Sequence, residues 1–124
     1  MKSKNKQEII EQYVSSCQIM RDTTLTGDYK TNNAEGKKII KVFKMLEKDI
    51  IFAEECLSLL LLNGNVVVQS EVAAHCLALN IRVEDAIRTL ESVASNEENG
   101  IFGFNAEMTL EVWREQGTLK VYQK

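Results

Sequence analysis

Apolar residues recur along this chain with the spacing of α-helices. In the first such segment they fall at i, i+4, i+8 and i+11, on one helical face that comprises Ile9, Tyr13, Cys17 and Met20. Similar periods recur in five later segments, and the 124 residues include no proline, which would interrupt a helix. The pattern predicts six helices, over residues 6–24, 31–46, 49–62, 66–79, 82–95 and 105–116.

Three of these segments need separate comment. After Asp49, residues 50–62 are polar only at Glu54, Glu55 and Ser58 before Asn63, so we expect helix 49–62 to be the buried centre of the fold. Residues 66–68 are three valines that could form a short strand on propensity alone. The helical period of the residues that follow favours a helix there instead. At the other end, we expect residues 104–113 to close the domain with Trp113 facing the core.

Short loops between the predicted helices place consecutive helices antiparallel. For the helix after residue 28, Asp28 or Thr31 is the candidate N-cap, and Asn80 is the candidate cap of helix 82–95. We predict an all-α fold of about six helices, stacked as antiparallel pairs in a short ARM/HEAT-like superhelix or packed as an irregular bundle. Residues 1–124 then form one domain with a short tail, 117–124, which alternates like a strand but is too short to stand alone.

The C-terminal half resembles a known family. Residues 68–80 resemble the second helix of a HEAT-type unit, with a valine before a pair of small residues and a leucine-rich end. Residues 84–94 and 103–113 are similar to a bacterial family of small proteins classed as a domain of unknown function. Its members end in a Phe-x-Ala-x-x-x-Leu-x-x-Trp signature, which this chain matches at Phe104, Ala106, Leu110 and Trp113.

This resemblance covers residues 68–116 and implies an ARM/HEAT-like six-helix fold. It implies no catalytic residues, and some small helical proteins of this type look like immunity or partner proteins of bacterial toxins. The chain departs from the family at Asn80-Ile81, where Asp-Pro is usual, so the resemblance says little about the geometry of that turn.

Composition fits one globular domain, with 44% hydrophobic and 27% charged residues. The longest uninterrupted leucine run covers residues 59–62, far short of a membrane span, and acidic residues interrupt any signal-peptide core after residue 6. We therefore expect no membrane partner and a cytoplasmic location. The three cysteines, each within a helical apolar pattern, are expected to be reduced core residues: Cys17, Cys56 and Cys76.

Candidate catalytic chemistry is sparse. His75 is the only histidine, and although Cys76 follows it, adjacent helix positions point about 100° apart. A zinc site needs three or four convergent ligands, and no such spacing is present. The glycines at 100 and 103 lack the strand and the Lys-Ser/Thr of a phosphate loop. We expect no enzyme activity, metal or cofactor, and we expect His75 to lie at a helix surface or rim.

The N-terminal part of the chain is basic and the C-terminal part is acidic. Residues 1–48 hold 10 Lys/Arg against 6 Asp/Glu, whereas residues 66–116 hold 3 against 9. Glutamates at i, i+4 and i+8 form an acidic row on the last helix: Glu107, Glu111 and Glu115. A basic row at i, i+4, i+7 and i+11 on the second helix is either a solvated face or a partner-binding surface: Lys37, Lys41, Lys44 and Lys48.

These features predict a non-enzymatic protein-interaction module with an acidic protein as the expected partner, and the family resemblance suggests an adaptor-like or immunity-type role for it. A small enzyme or ligand-binding protein with a pocket near His75 and Cys76 is the first alternative. Nucleic-acid binding by the basic row is the second alternative. The sequence disfavours it because arginine and aromatic residues are scarce near that row and the chain as a whole is acidic.

Overall fold

The computed structural model describes residues 5–122, and within that range the regular elements are six α-helices and one 3-10 turn, with no strand. The predicted all-α fold of six helices packed against each other is confirmed. The ends of the predicted domain and tail, residues 1–4 and 123–124, lie outside the described residues. The helices are α1 Lys6–Thr26, α2 Tyr29–Leu46, α3 Ile50–Leu60, α4 Val66–Leu79, α5 Val83–Ser95 and α6 Ile101–Gln116, with the 3-10 turn at Glu97–Asn99.

Helices α1 and α2 form an antiparallel hairpin joined by two residues. Gly27 ends α1 in the left-handed conformation at φ 80°. Asp28 then caps α2, its carboxylate accepting a hydrogen bond from the Thr31 amide at 3.2 Å. Because Asp28 rather than Thr31 is the cap, α2 begins at Tyr29, two residues before the predicted start. The Asn32 amide holds the hairpin closed by donating to the Met20 carbonyl at 3.1 Å and to two threonine hydroxyls of α1.

Helix α4 is the centre of the fold. It packs against α1, α3, α5 and α6, and its predicted bounds, 66–79, agree with the structure. The Asn65 side chain caps its first turn. An apolar surface on nearly all sides fits a helix with four neighbours. Its buried residues are Val67, Val68, Val72, Ala73, His75, Cys76 and Leu77.

Helix α3 is not the buried centre that its composition predicted. It runs from Ile50 to Leu60 and packs with one side against α1 and α4, with a smaller contact to α2. That side buries Ala53, Cys56, Leu57 and Leu60. On the opposite side Ile51 is 79% exposed, and Leu62, just beyond the helix, is 82% exposed. The prediction was wrong because apolar composition does not reveal whether a neighbouring helix covers each side.

The turn between α4 and α5 differs from the predicted one. Asn80 adopts a left-handed conformation, φ 59°, and ends α4 instead of capping α5. Arg82 is also left-handed, φ 45°, and α5 starts after it without a side-chain cap. Asparagine tolerates this conformation better than most residues, which suits the helix end. The predicted capping role of Asn80 is therefore wrong.

Helix α6 begins at Ile101, four residues before its predicted start. Gly100 supplies a positive φ of 54° just before the helix, and Gly103 lies buried within the first turn. A Cβ on Gly103 would meet the carbonyl oxygen of Val93 at 3.1 Å, so the glycine allows α6 to approach the end of α5 closely. Phe104 is 62% exposed and does not close the end of the domain. Trp113 packs partly buried against the core, in keeping with its predicted inward position.

Among residues 5–122, no helix has both the length and the apolar character that crossing a bilayer requires. Helix α1 is the longest at 21 residues, and charged and polar residues occupy much of its surface. Helix α3 is the most apolar, but its 11 residues fall well short of the roughly 20 that a span needs.

Candidate functional site

The predicted basic row is a continuous surface of the folded chain. Lys37, Lys41 and Lys44 are exposed on α2, and Lys48 is exposed two residues beyond its end. We call these four residues the lysine face. No carboxylate of residues 5–122 lies within 4 Å of its four amino groups, whereas the neighbouring Lys38 pairs with Glu35 at 2.9 Å and lowers the pKa of that carboxyl. The lysine face thus presents uncompensated positive charge.

The tail folds back onto one edge of the lysine face. Described residues 118–122 form no strand, and the Tyr122 ring lies 6.0 Å from that of Phe43. The Tyr122 hydroxyl donates a hydrogen bond to Glu47, which raises the pKa of the phenol. Above the same ring, the Lys44 amino group lies 4.6 Å from the centroid, a cation–π contact. Tyr122 therefore contacts Lys44, which stays exposed like Lys37, Lys41 and Lys48.

A second surface, on α6, combines apolar and acidic side chains. Three large apolar residues fall at i, i+3 and i+7 and are 52%, 62% and 43% exposed: Ile101, Phe104 and Met108. The predicted acidic row is exposed and runs along one side of them: Glu107, Glu111 and Glu115. We call these six residues the α6 face. It spans about 21 Å of helix at 1.5 Å per residue.

His75 is buried, not at a surface or rim as predicted. It is 1% exposed, and its Nδ1 lies 2.9 Å from the hydroxyl of Tyr13, which is itself fully buried in α1. The Phe43 ring of α2 packs against the imidazole with a centroid distance of 4.7 Å. Sequence reasoning missed this pair because the two residues are 62 positions apart. Tyr13 was visible only as one member of an apolar face.

Burial fixes the protonation state of His75. It lowers the pKa of the imidazole to about 3, so the ring is neutral at pH 7. Its Nε2 has no hydrogen-bond partner in the described part of the chain and lies 3.9 Å from the Glu71 carboxylate. A lone pair on Nε2 would face the Glu71 carboxylate, which is unfavourable. The favoured neutral tautomer therefore carries its proton on Nε2, and its Nδ1 accepts a hydrogen bond from the Tyr13 hydroxyl.

Glu71 connects this buried pair to the surface. Its side chain is 34% exposed, and partial burial raises its pKa above the usual value. It lines a cleft of about 280 Å³ between α1, α4 and α6, which we call the Glu71 cleft. The other lining residues are uncharged: Met20, Thr24, Asn32, Val67, Ser70, Ala74, Phe102, Asn105 and Thr109.

Cys76 and His75 are not brought together as a nucleophile and base. The hydrogen-bond partner of His75 is Tyr13, and burial raises the pKa of Cys76 to about 12. Cys17 and Cys56 are also buried free thiols with raised pKa values. The prediction that the three cysteines are core residues with free thiols is confirmed. In residues 5–122, no three His, Cys, Asp or Glu side chains converge as metal ligands.

The buried thiols should resist alkylation. In native buffer at pH 8 we expect iodoacetamide to label the three cysteines at least about 100-fold more slowly than in denaturant, since the thiolate is the reactive form and burial disfavours it. Mass spectrometry of timed samples measures the labelling. One cysteine that reacts at the denatured rate in native buffer would contradict its burial.

The exposed apolar residues of α6 were also missed by sequence reasoning. Their period was present, but the glycines at 100 and 103 indicated a loop, which hid Ile101 and Phe104 from the helix. Comparison with models of protein families, with curated proteins and with solved structures gave no match. The family resemblance of residues 68–116 therefore stays a prediction, and the surfaces themselves are the basis for a functional proposal.

Proposed function

We propose that this chain is a non-enzymatic protein-interaction module that binds its partner through the α6 face. The observation behind the proposal is the exposure of Ile101, Phe104 and Met108 on one helical face. Single exposed apolar residues are ordinary, but three large ones in a row form a contiguous patch of the kind that marks a binding surface. Anchors at i, i+3 and i+7 suit a partner that lays a helix along α6.

The charge of the α6 face indicates the chemistry of that partner. Glu107, Glu111 and Glu115 border the apolar row, so a partner helix with lysine or arginine beside its own apolar row complements both features. A second copy of this chain, packed symmetrically through the same face, would bring two acidic rows together. Like charges across such an interface are unfavourable, which argues for a different protein as the partner.

The lysine face supports a second contact, with an acidic partner. Its exposed and unpaired amino groups are the supporting observation. A module with one acidic and one basic face is suited to an adaptor that joins two proteins. An immunity-type role needs only one of the two faces. The two roles therefore differ in whether partners occupy both faces or only one. Nucleic acid is a weaker candidate for the lysine face because the nearby aromatic ring, Tyr122, already packs against Phe43 and Lys44.

Substituting two anchors tests the α6 face. We expect the double variant Phe104→Ser/Met108→Ser to weaken partner binding at least about 30-fold, since truncating interface anchors removes about 1 kcal/mol or more each. The measurement is capture from extracts of the cells that encode the chain, followed by titration of the captured protein by calorimetry. Both residues are exposed, so the thermal unfolding midpoint should change little.

The matched control is Lys37→Gln/Lys41→Gln on the lysine face. It should bind the same partner with unchanged affinity apart from long-range charge effects. A partner that binds the Phe104→Ser/Met108→Ser variant as tightly as the unmodified protein would refute the α6 proposal. Loss of that partner in the lysine variant instead would transfer the contact to the lysine face.

A further inference from the structure

We infer that the Glu71 cleft receives the ammonium or guanidinium end of a lysine or arginine side chain from the partner bound on the α6 face. This inference rests on the proposed function, because it names the residue type that the partner inserts beside that face. The unpaired charge of Glu71, the buried Ser70 hydroxyl without a partner among residues 5–122, the apolar walls and the position of the cleft support it.

Among residues 5–122, Glu71 is the only charged residue that lines the cleft. No lysine or arginine of residues 5–122 lies within 4 Å of its carboxylate, and the nearest basic group is the Nε2 of His75 at 3.9 Å. That imidazole is neutral at pH 7 and offers no balancing charge. A partly buried carboxylate without a cation is an unfavourable arrangement, which a cationic side chain would relieve.

One polar atom beside Glu71 lacks a hydrogen-bond partner that a cation could supply. Ser70 lines the cleft, and among residues 5–122 its buried Oγ has no hydrogen-bond partner. An unsatisfied buried hydroxyl costs about 1–3 kcal/mol. An ammonium has three donors and a guanidinium five, so either one can bond the Glu71 carboxylate and the Ser70 hydroxyl together.

The apolar walls fit the stem of such a side chain. Met20, Val67 and Phe102 line the cleft and can contact methylene groups, while the charged end reaches Glu71. The volume of about 280 Å³ lies just below the usual range of about 300–1,000 Å³ for small-molecule sites. That size favours a single side chain over a large cofactor.

The cleft adjoins the α6 face directly. Asn105 and Thr109 line the cleft and follow Phe104 and Met108 by one residue, so the cleft lies on the flank of α6 opposite the glutamate row. A helix laid along the α6 face would pass the mouth of the cleft. It would present one basic residue to Glu71 and others to the exposed glutamates.

A nuclear magnetic resonance titration with capped amino acids tests this without the partner. The probes are Nα-acetyl-lysine-N-methylamide, its arginine counterpart and the uncharged norleucine counterpart, added to ¹⁵N-labelled protein. We expect saturable shifts from at least one cationic probe at the amides of residues 70, 71, 105 and 109, and at least tenfold weaker binding of norleucine. Glu71→Gln should weaken that cationic probe at least tenfold, while Glu84→Gln, at an exposed residue of α5 that does not line the cleft, should leave it unchanged.

Equal affinity of the charged and uncharged probes, no saturable shift from either cationic probe, or unchanged binding in Glu71→Gln would each overturn the inference. The comparison of probes on the unmodified protein decides the matter even if Glu71→Gln fails to fold. Because no partner is present, these outcomes do not test the α6 face. Failure of the titration alongside loss of partner binding in Phe104→Ser/Met108→Ser would reject the cleft and keep the proposed function.

Discussion

Lowering the pH from 7 to 4.5 is expected to reduce the free energy of unfolding by about 3 kcal/mol through His75 alone. Burial lowers the pKa of His75 from 6.5 to about 3 in the folded chain. The unfolded chain therefore takes up the proton first as the pH falls. The contribution of His75 is fully present above about pH 6.5 and falls by about 1.4 kcal/mol per pH unit between 6.5 and 3. Urea unfolding followed by circular dichroism across that range measures the loss.

His75→Gln is the control variant for this prediction, because the chain has no other histidine. It should lose stability at pH 7 and show a much shallower decline between pH 6.5 and 4.5. Glu71 acts in the opposite direction, since its raised pKa lets the folded chain take up that proton first on acidification. Glu71→Gln should therefore steepen the decline. Identical pH profiles of the unmodified protein and His75→Gln would show that His75 titrates normally in the folded chain.

Replacing Gly103 with valine should lower the free energy of unfolding by about 2 to 3 kcal/mol. An added Cβ would lie 3.1 Å from the Val93 carbonyl oxygen and 3.5 Å from that of Ala94. These are backbone atoms at the end of α5, so relief requires α6 to move away from α5 and loosens the packing between them. Alanine at the same position should cost less, because its gain in helix propensity of about 1 kcal/mol offsets part of the contact.

Gly64→Ala provides the matched control for this substitution. Nothing lies within 4 Å of a Cβ built at Gly64, so the change should alter stability by no more than about 0.5 kcal/mol. The measurement is urea unfolding at pH 7 with comparison of midpoints and slopes. A Gly103→Val variant as stable as the unmodified protein would mean that α5 and α6 tolerate a wider separation than the structure shows.

Periodicity predicted the helices well where one face is apolar and the ends carry clear capping residues. Helix α4 illustrates this at its start, where the Asn65 side chain caps the first turn, whereas Asn80 at its end was assigned to the wrong helix. Periodicity failed where a residue's role depends on contact with another helix. The sequence indicated a loop at Gly103, but this glycine lies within α6. Its lack of a side chain allows α6 to approach the Val93 carbonyl of α5 closely.

For the candidate sites too, features within one helix could be predicted from the sequence, whereas features that depend on contacts between helices could not. The lysine face and the glutamate row could be predicted, because same-face placement follows from helical spacing within one element. The buried state of His75 could not, since it depends on Tyr13 and Phe43 from two other helices. The exposure of Ile51 and Phe104 could not either, because only the packing shows which apolar sides lack a covering helix.

The central position of α4 has a consequence for how the chain acquires its structure. Because α4 contacts α1 and α3 on the N-terminal side and α5 and α6 on the C-terminal side, it belongs to the core of both halves. We therefore expect the two halves to fold together, unlike well-separated units of a long repeat array. The chain should fold and unfold in one cooperative transition, and damage to any element that touches α4 reduces the stability of all of them together.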